Sequence, residues 1–551
     1  MKTKFIILLC FILCLRSTML YSQDFDGIKN PVVFTDRDFC ISGDTLWYKL
    51  WFPDFENTKE NIGRIQLEAI EGNTISSVIV RVKEGWGQGY IFVPDSLGTA
   101  QYFITAYRNS QQNQQKLKLL SKSIFVYNRF DNALNQIKTA DINSINKLDS
   151  NFKAIKIRTN KDTYSKREKV ILDLDINSVM GFKKVLIRAA LVDPLAKEYE
   201  GYYSFNIENS QNNFPVVEER NGFLWSGKAV DSFGNPQKDA LVTLSIPNAS
   251  NYFDYYLTGN KGDFHFFLAN ATGQTKSYLQ TFSKKKKILN IEITQNSLNR
   301  DDATNILKKM LTPSQTNFID KVIKGNYISR LFQASIPVKS ILFEMPTPFQ
   351  MPFYGPPKKH IVPAEFIDLN HFEEISKELL NGVRYRKSDD KISIRMVDEA
   401  NNSMFKSEPL RLLNGIPVSN NLLIASLKSK DISYIDLTFK KRVFGGLTFN
   451  GVLDISLHDK SNKRIKKESN IFEFNLNCIQ VDKPPLYLKN RSTDETRPDI
   501  RQTFLWETLN PENSHNIEFY LSDLKGKVEI MIEFITANNE IITTSKIIEV
   551  K

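Results

Sequence analysis

Five histidines, His265, His360, His371, His458 and His515, are the acid–base and metal-binding candidates of this 551-residue chain. None stands four positions from another, so the paired histidines of a zinc-hydrolase helix are absent, and His371-Phe372-Glu373-Glu374 lacks its second histidine. No Gly-x-Ser-x-Gly elbow and no Gly-x-x-x-x-Gly-Lys-Ser/Thr phosphate loop occurs. Gly85, Gly87 and Gly89 imitate part of a dinucleotide fingerprint, but they lie between strand patterns rather than ahead of a helix. Asp173-Leu174-Asp175-Ile176-Asn177 lacks the glycine and glutamate of a calcium loop and reads as a solvated strand face. Lys284-Lys285-Lys286-Lys287 is the one strong charge run. It reads either as a solvated hairpin loop, because like charges repel and stay wet, or as a contact for phosphorylated lipid headgroups. The expectation is a chain with no catalytic residues, no metal and no cofactor.

The elements that would carry these residues are mostly strands. Leu46, Tyr48, Leu50 and Phe52 alternate on one face, and further period-2 runs lie at 65–70, 77–83, 90–93, 101–107 and 122–127. The pattern recurs at 155–176 and 185–192, again at 225–266, and finally at 503–507 and 516–535. One segment departs from it: Phe372, Ile375, Leu379 and Leu380 keep helical spacing, and Asn381-Gly382 stops the helix. Prolines through 345–357 forbid helix and sheet there and predict an extended linker. Its aromatics either pack on a neighbouring domain or meet a partner groove.

Compartment and class follow from the ends and the composition. Lys2 and Lys4, the apolar run 5–15 and the small or polar residues to Ser22 form a secretory signal, with Gln23 expected as the first mature residue. The run is shorter than the roughly 20 residues of a bilayer span. Arg16 and Leu20 make the cleavage site imperfect, so an uncleaved anchor is the alternative. Leu13 argues against a lipoprotein cysteine at Cys14. Cys40 and Cys478, the remaining pair, lie far apart and read as free buried thiols. At 41% hydrophobic and 25% charged, the chain is globular, and its length requires several domains. A net charge of +11 favours acidic partners, although a lysine-rich proteome gives the same charge by default.

Several of these segments resemble known modules. The run from Thr35 to Tyr48 (with Gly43 at the turn), then Gly85-Trp86-Gly87-Gln88-Gly89-Tyr90, and 102–107 resemble a macroglobulin-like domain. The run 155–170, with its Asp162/Tyr164 turn, is similar to a second. Trp225-Ser226-Gly227-Lys228-Ala229-Val230-Asp231, with turns at Gly234-Asn235-Pro236 and Asn260-Lys261-Gly262-Asp263, resembles a carboxypeptidase regulatory-like sandwich. Leu413-Asn414-Gly415-Ile416-Pro417, the strand 431–437 and the run 444–455 resemble the plug domain of TonB-dependent outer-membrane receptors, here without room for a barrel. The last segment is similar to the C-terminal immunoglobulin-like domain of Bacteroidetes-type envelope proteins.

The fold class expected is therefore mainly β and multi-domain: tandem β-sandwiches with one small α/β plug-like domain. The boundaries are a signal at 1–22, macroglobulin-like sandwiches at 23–130 and 150–215, and a regulatory-like sandwich at 220–295. A β extension and linker at 296–354, the plug-like domain at 355–465 and a C-terminal sandwich at 466–551 complete the chain. The resemblance implies a non-catalytic scaffold of the cell envelope, in the periplasm or at the outer membrane. It would be an accessory subunit docking to an outer-membrane channel or a transport or assembly complex. Its partners would be outer-membrane or periplasmic proteins, with anionic lipid headgroups a further option and nucleic acid none. The alternative is a macroglobulin-like protease inhibitor or surface sensor without the Cys-Gly-Glu-Gln thioester, which the sequence lacks. The plug resemblance puts the partner-binding surface at the turn Asn414, Gly415 and Pro417. The basic triplet Lys440, Lys441 and Arg442 is expected beside it, with Gly445-Gly446 and Asn450-Gly451 making a hairpin.

Overall fold

The computed structural model describes residues 30–56, 60–109, 117–131, 135–142, 157–174, 182–208, 219–247, 252–282, 289–294, 298–300, 305–333, 351–366, 368–388, 391–444, 447–465, 470–482, 498–509, 515–537 and 539–551. The signal segment and Lys284-Lys285-Lys286-Lys287 lie outside them. The protein is mainly β; among the described residues its strands are distributed over seven sheets, and the chain forms two compact units.

The first unit joins Met1–Val216, Ser297–Val338 and Asp482–Lys551. Its twelve-stranded sheet holds the strands read from the first 130 residues, among them Thr45–Trp51, Asn61–Ala69 and Ala100–Tyr107. Leu46, Tyr48 and Leu50 are all fully buried, as the period-2 run requires. Beside it stands a five-stranded sheet in the order Thr163–Tyr164, Ile541–Val550, Gly526–Thr536, Phe182–Leu191 and Thr503–Leu509. A three-stranded sheet of Ile157–Thr159, Lys169–Leu174 and His515–Tyr520 packs on the same apolar cluster.

These pairings correct two domain boundaries. Segments 150–215 and 466–551 are not separate sandwiches, because Phe182–Leu191 is flanked on both sides by C-terminal strands. Lys169–Leu174 likewise pairs with His515–Tyr520. Tyr202–Glu208 pairs instead with Leu117–Tyr127 of the large sheet.

A further correction concerns 296–354, expected as a β extension and proline-rich linker: after the short strands Asn299–Arg300 and Ile306–Met310 it holds a 21-residue helix, Pro313–Gln333. Its start was legible. The Thr312 hydroxyl accepts from the Gln315 N–H, and the Gln315 side chain accepts from the Thr312 N–H, a reciprocal box with Pro313 at the first helical position. Phe318, Ile319 and Val322 face the core, with Phe318 edge-on to Phe39 at 5.2 Å. Exposed Tyr327, Leu331 and Phe332 blur the helical period, which is why the pattern did not stand out.

The second unit joins Val217–Asn296 and Lys339–Val481. Gly222–Val230, Asp263–Ala269 and Asn290–Ile293 form one small sheet. Tyr252–Leu257, Leu241–Ile246, Gln274–Phe282 and Ile471–Asn477 form another. The last of these strands corrects the boundary at 466, since it pairs with Gln274–Phe282. A third sheet orders Lys359–Ile361, Ile432–Phe444, Leu447–Leu457, Leu410–Leu413 and Ile416–Pro417. Helices Phe372–Glu378 and Asn421–Ala425 pack on it through Phe372, Ile375 and Ile424. Gly382 ends the first helix turn at φ +100°, where a Cβ would stand 2.8 Å from the Phe439 ring. The chain then enters the hairpin Val383–Ser388 and Lys391–Asp398, to which Ser403–Met404 adds a third short strand.

Candidate docking surface

The turn expected to meet a partner is built into the core instead. Asn414 and Gly415 take φ of +51° and +77° between paired Leu413 and Ile416, a two-residue hairpin with left-handed backbone at both positions. Asn414 is buried, donates to the Asp459 carbonyl and to Asn462 Oδ1, and accepts from the Leu457 N–H at 2.7 Å. The buried Pro417 carbonyl accepts from Gln280 Nε2 at 2.7 Å. Every one of these groups is used internally, which corrects their placement on an exposed face.

The basic triplet is elsewhere. Lys441 pairs with Asn450 while Leu413 pairs with Ile455 on the same strand. Five residues at about 3.3 Å each separate them by about 16 Å. Lys440 and Lys441 are exposed, but Arg442 donates through Nε to the Tyr354 carbonyl at 2.7 Å. Gly451 makes no hairpin beside them. It lies within its strand at φ +85°, opposite the register shift between Thr438 and Lys441. Gly445 and Gly446 lie outside the described residues.

Arg442 holds the described end of the proline-rich segment, residues 351–357, against the sheet. Tyr354 is buried against Leu410, Leu412 and Val452, and its hydroxyl donates to Asp454 Oδ2 at 2.8 Å. Phe353 stacks on Phe253 at 4.5 Å. Burial pushes the Asp454 carboxyl up to about 6, and the charge of Asp436 directly across the ladder adds to the rise. The Tyr354 hydrogen bond and Lys460 oppose it. Asp436 in turn contacts His360 Nδ1 at 2.6 Å.

Two further polar groupings are structural by their geometry. His265 Nδ1 lies 2.9 Å from Ser226 Oγ and its Nε2 lies 3.6 Å from Asp263, a serine–histidine–aspartate order that the sequence reading missed. The three come together because Ser226 and His265 are direct cross-strand partners. Ser226 is buried, and the aspartate contact exceeds hydrogen-bond length, so the hydroxyl faces packed side chains without an aligned relay. Asp193 accepts from the Tyr127 hydroxyl and caps Pro194–Glu198 through the Leu195 N–H; burial pushes its carboxyl up to about 6. Cys40 and Cys478 are free and buried, and burial pushes both thiols up to about 12. Among the described residues no three His, Cys, Asp or Glu side chains are arranged to hold a metal, and no helix is long and apolar enough to cross a membrane.

What remains is the outer face of the hairpin Val383–Ser388 and Lys391–Asp398. Tyr385, Ile394 and Met396 point to the core, so the alternation sends Arg384, Arg386, Lys391, Ser393 and Arg395 to the other face. Arg384 stands directly across from Arg395, and all four cations are exposed. None of the four makes an ion pair or hydrogen bond among the described residues. Asp389 and Asp390, between the strands, lie outside the described residues. Like charges directly opposite disfavour a sheet pair, so the described residues of this face form a cationic surface without internal neutralisation. The signal for it was the alternation Arg384-Tyr385-Arg386 facing Arg395.

No protein-family model matches the sequence, and no curated protein does. Among solved structures, trypsin-activated α2-macroglobulin from Escherichia coli aligns over 96% of this chain and 41% of its own, at 8% identity and TM-score 0.23. Methylamine-reacted α2-macroglobulin from Salmonella aligns over 95% and 40%, at 10% identity and TM-score 0.23. Dimeric latent PorU from Porphyromonas gingivalis aligns over 52% and 34%, at 8% identity and TM-score 0.15. The chain thus spans about two-fifths of the macroglobulins it aligns with. Likenesses this distant assign neither an activity nor a partner.

Proposed function

We propose that this protein is a non-catalytic binding or scaffold component of the bacterial cell envelope, an accessory subunit that docks to other envelope proteins. One observation carries the reading. The hairpin face presents Arg384, Arg386, Lys391 and Arg395 with no partner among the described residues, whereas the buried ionisable groups around the two cores are engaged in packing and capping. Exposed charges of one sign on a sheet face steer and orient an oppositely charged partner. The export signal supports the envelope location. The test is recovery of partners on the tagged full-length protein from gently solubilised envelope, at low and high salt. The triple variant Arg384→Glu/Arg386→Glu/Arg395→Glu is compared with Lys440→Glu/Lys441→Glu, the other exposed basic pair. Loss of salt-sensitive partners from the folded triple variant alone supports the assignment. Recovery unchanged in it would overturn the assignment.

A further inference from the structure

We infer that the partner of the cationic hairpin is an extended, acid-rich protein segment that adds to it as a further strand along Arg384–Ser388. The inference rests on the docking role just proposed for this face and goes on to name what docks.

The hydrogen-bond register carries it. The Gly382 carbonyl accepts from the Val397 N–H, so the ladder bonds between the two strands fall at the pairs Arg384–Arg395 and Arg386–Ser393. On the other strand, the Met396 carbonyl accepts from the Phe405 N–H and the Ile394 N–H donates to Glu408 Oε1, both away from the first strand. The alternating pairs in between are therefore the non-bonded ones. It follows that the N–H and C=O of Tyr385 and Lys387 point outward, and neither residue has a partner there among the described residues. Val383–Ser388 is the edge of its sheet, and its outward groups at Val383 are taken, the N–H donating to the Leu380 carbonyl and the C=O accepting from Ser376 Oγ, so the open stretch starts at Arg384. An edge with free donors and acceptors is a template for strand addition, in which backbone bonds supply affinity and alternate side chains supply specificity.

The side chains beside that edge select the sequence of the added strand. Arg384 and Arg386 are two residues apart on one face, which is the spacing of alternate residues in a strand. A segment with carboxylates at every second position would set one against each guanidinium and relieve the Arg384–Arg395 opposition. Each such cross-strand pair of opposite charges stabilises the added strand. A phosphate-bearing membrane or a nucleic acid would satisfy the charges but leave the edge unpaired, so the free backbone favours a protein segment.

The probe is the fluorescent peptide acetyl-Thr-Glu-Val-Glu-Val-Glu-Thr-amide, titrated with the full-length protein by anisotropy at about 50 mM salt. Its counterpart carries N-methyl groups on the valines, keeping every carboxylate and losing backbone donors. Binding that weakens by about tenfold on N-methylation, and by a similar factor in Arg384→Glu/Arg386→Glu, supports the inference. Slowed exchange of the Tyr385 and Lys387 amides on adding peptide supports it as well. Equal binding of both peptides overturns strand addition while leaving the face as a charge-driven docking surface. Charge-dependent binding of phosphatidylglycerol vesicles or duplex DNA in place of the peptide also overturns the protein occupant and leaves the face. If charge reversal changes none of these, the docking role of the face fails with it.

Discussion

Arg188 and Arg300 in the first unit and Arg384, Arg386 and Arg395 in the second share a side chain and differ in everything around it. Arg188 is 3% exposed and grips Asp38 through both terminal nitrogens, at 2.9 and 2.7 Å. Arg300 pairs with buried Glu68, donates to the Ala69 carbonyl, and lies over the Phe103 and Phe205 rings. Among the described residues the hairpin arginines have neither carboxylate nor ring as a partner, and two of them face each other. The difference teaches where charge is structural. A guanidinium taken out of water must be paired, and its partner is then buried with it. One left in water at a sheet face is available to another molecule at small cost to the fold.

That contrast can be broken first at Arg188. Arg188→Leu strips Asp38 of its bidentate partner, and removing one member of a buried pair costs about 3–5 kcal/mol. Lys122, 3.3 Å from Asp38, holds the loss near the lower figure. Urea unfolding followed by tryptophan fluorescence measures it. A loss within about 0.5 kcal/mol, the range of ordinary surface changes, would erase the distinction.

Asn414 tests the same idea on a neutral group. Asn414→Ala leaves the Leu457 N–H unpaired and keeps a positive φ, for an expected loss of about 2 kcal/mol. The same substitution leaves peptide binding unchanged if the turn is structural. A stable variant that loses partners would restore the turn as a docking site.

Asp454 gives the comparison a pH axis. Its carboxyl titrates near about 6 in the folded protein against 3.8 without the fold, so the native state holds the proton more tightly. Stability from this group is present below about pH 3.8 and is lost as pH rises through about 6. Asp454→Asn should therefore flatten stability between those values and raise it by at most about 3 kcal/mol above pH 6, because the amide oxygen still accepts from Tyr354. Thermal unfolding at pH 4 and pH 7.5 reads the two limits. Wild type gaining stability across that window relative to the variant would reverse the sign.

The smallest effect belongs to the hairpin itself. Arg395→Glu replaces a like-charge opposition by an attractive pair with Arg384 and should stabilise the fold by about 0.2–1 kcal/mol. Weaker peptide binding should accompany it. A destabilised variant would mean that Arg395 is engaged in the fold like Arg188.

Local features were legible in the sequence. Asn414-Gly415 announced a turn with left-handed backbone, Phe372 and Ile375 announced a buried helix face, and Leu46, Tyr48 and Leu50 announced a strand. The mainly β, multi-domain class followed from such runs. Each signal is short-range, because glycine's freedom, the 3.6-residue turn and the two-residue pleat act between near neighbours.

Which strands pair was decided by the tertiary structure. Alternation tells which side chains of Phe182–Leu191 are buried, but not that Thr503–Leu509 and Gly526–Thr536 flank it from more than 300 positions away. The site was subject to the same limit. Lys440, Lys441 and Arg442 read as one basic run, yet Arg442 is spent on the Tyr354 carbonyl. Arg384 and Arg395 read as scattered charges, yet the register sets them face to face. Composition fixes how many charges a chain carries; only packing decides which of them are neutralised within, since pairing depends on distances that no local pattern encodes.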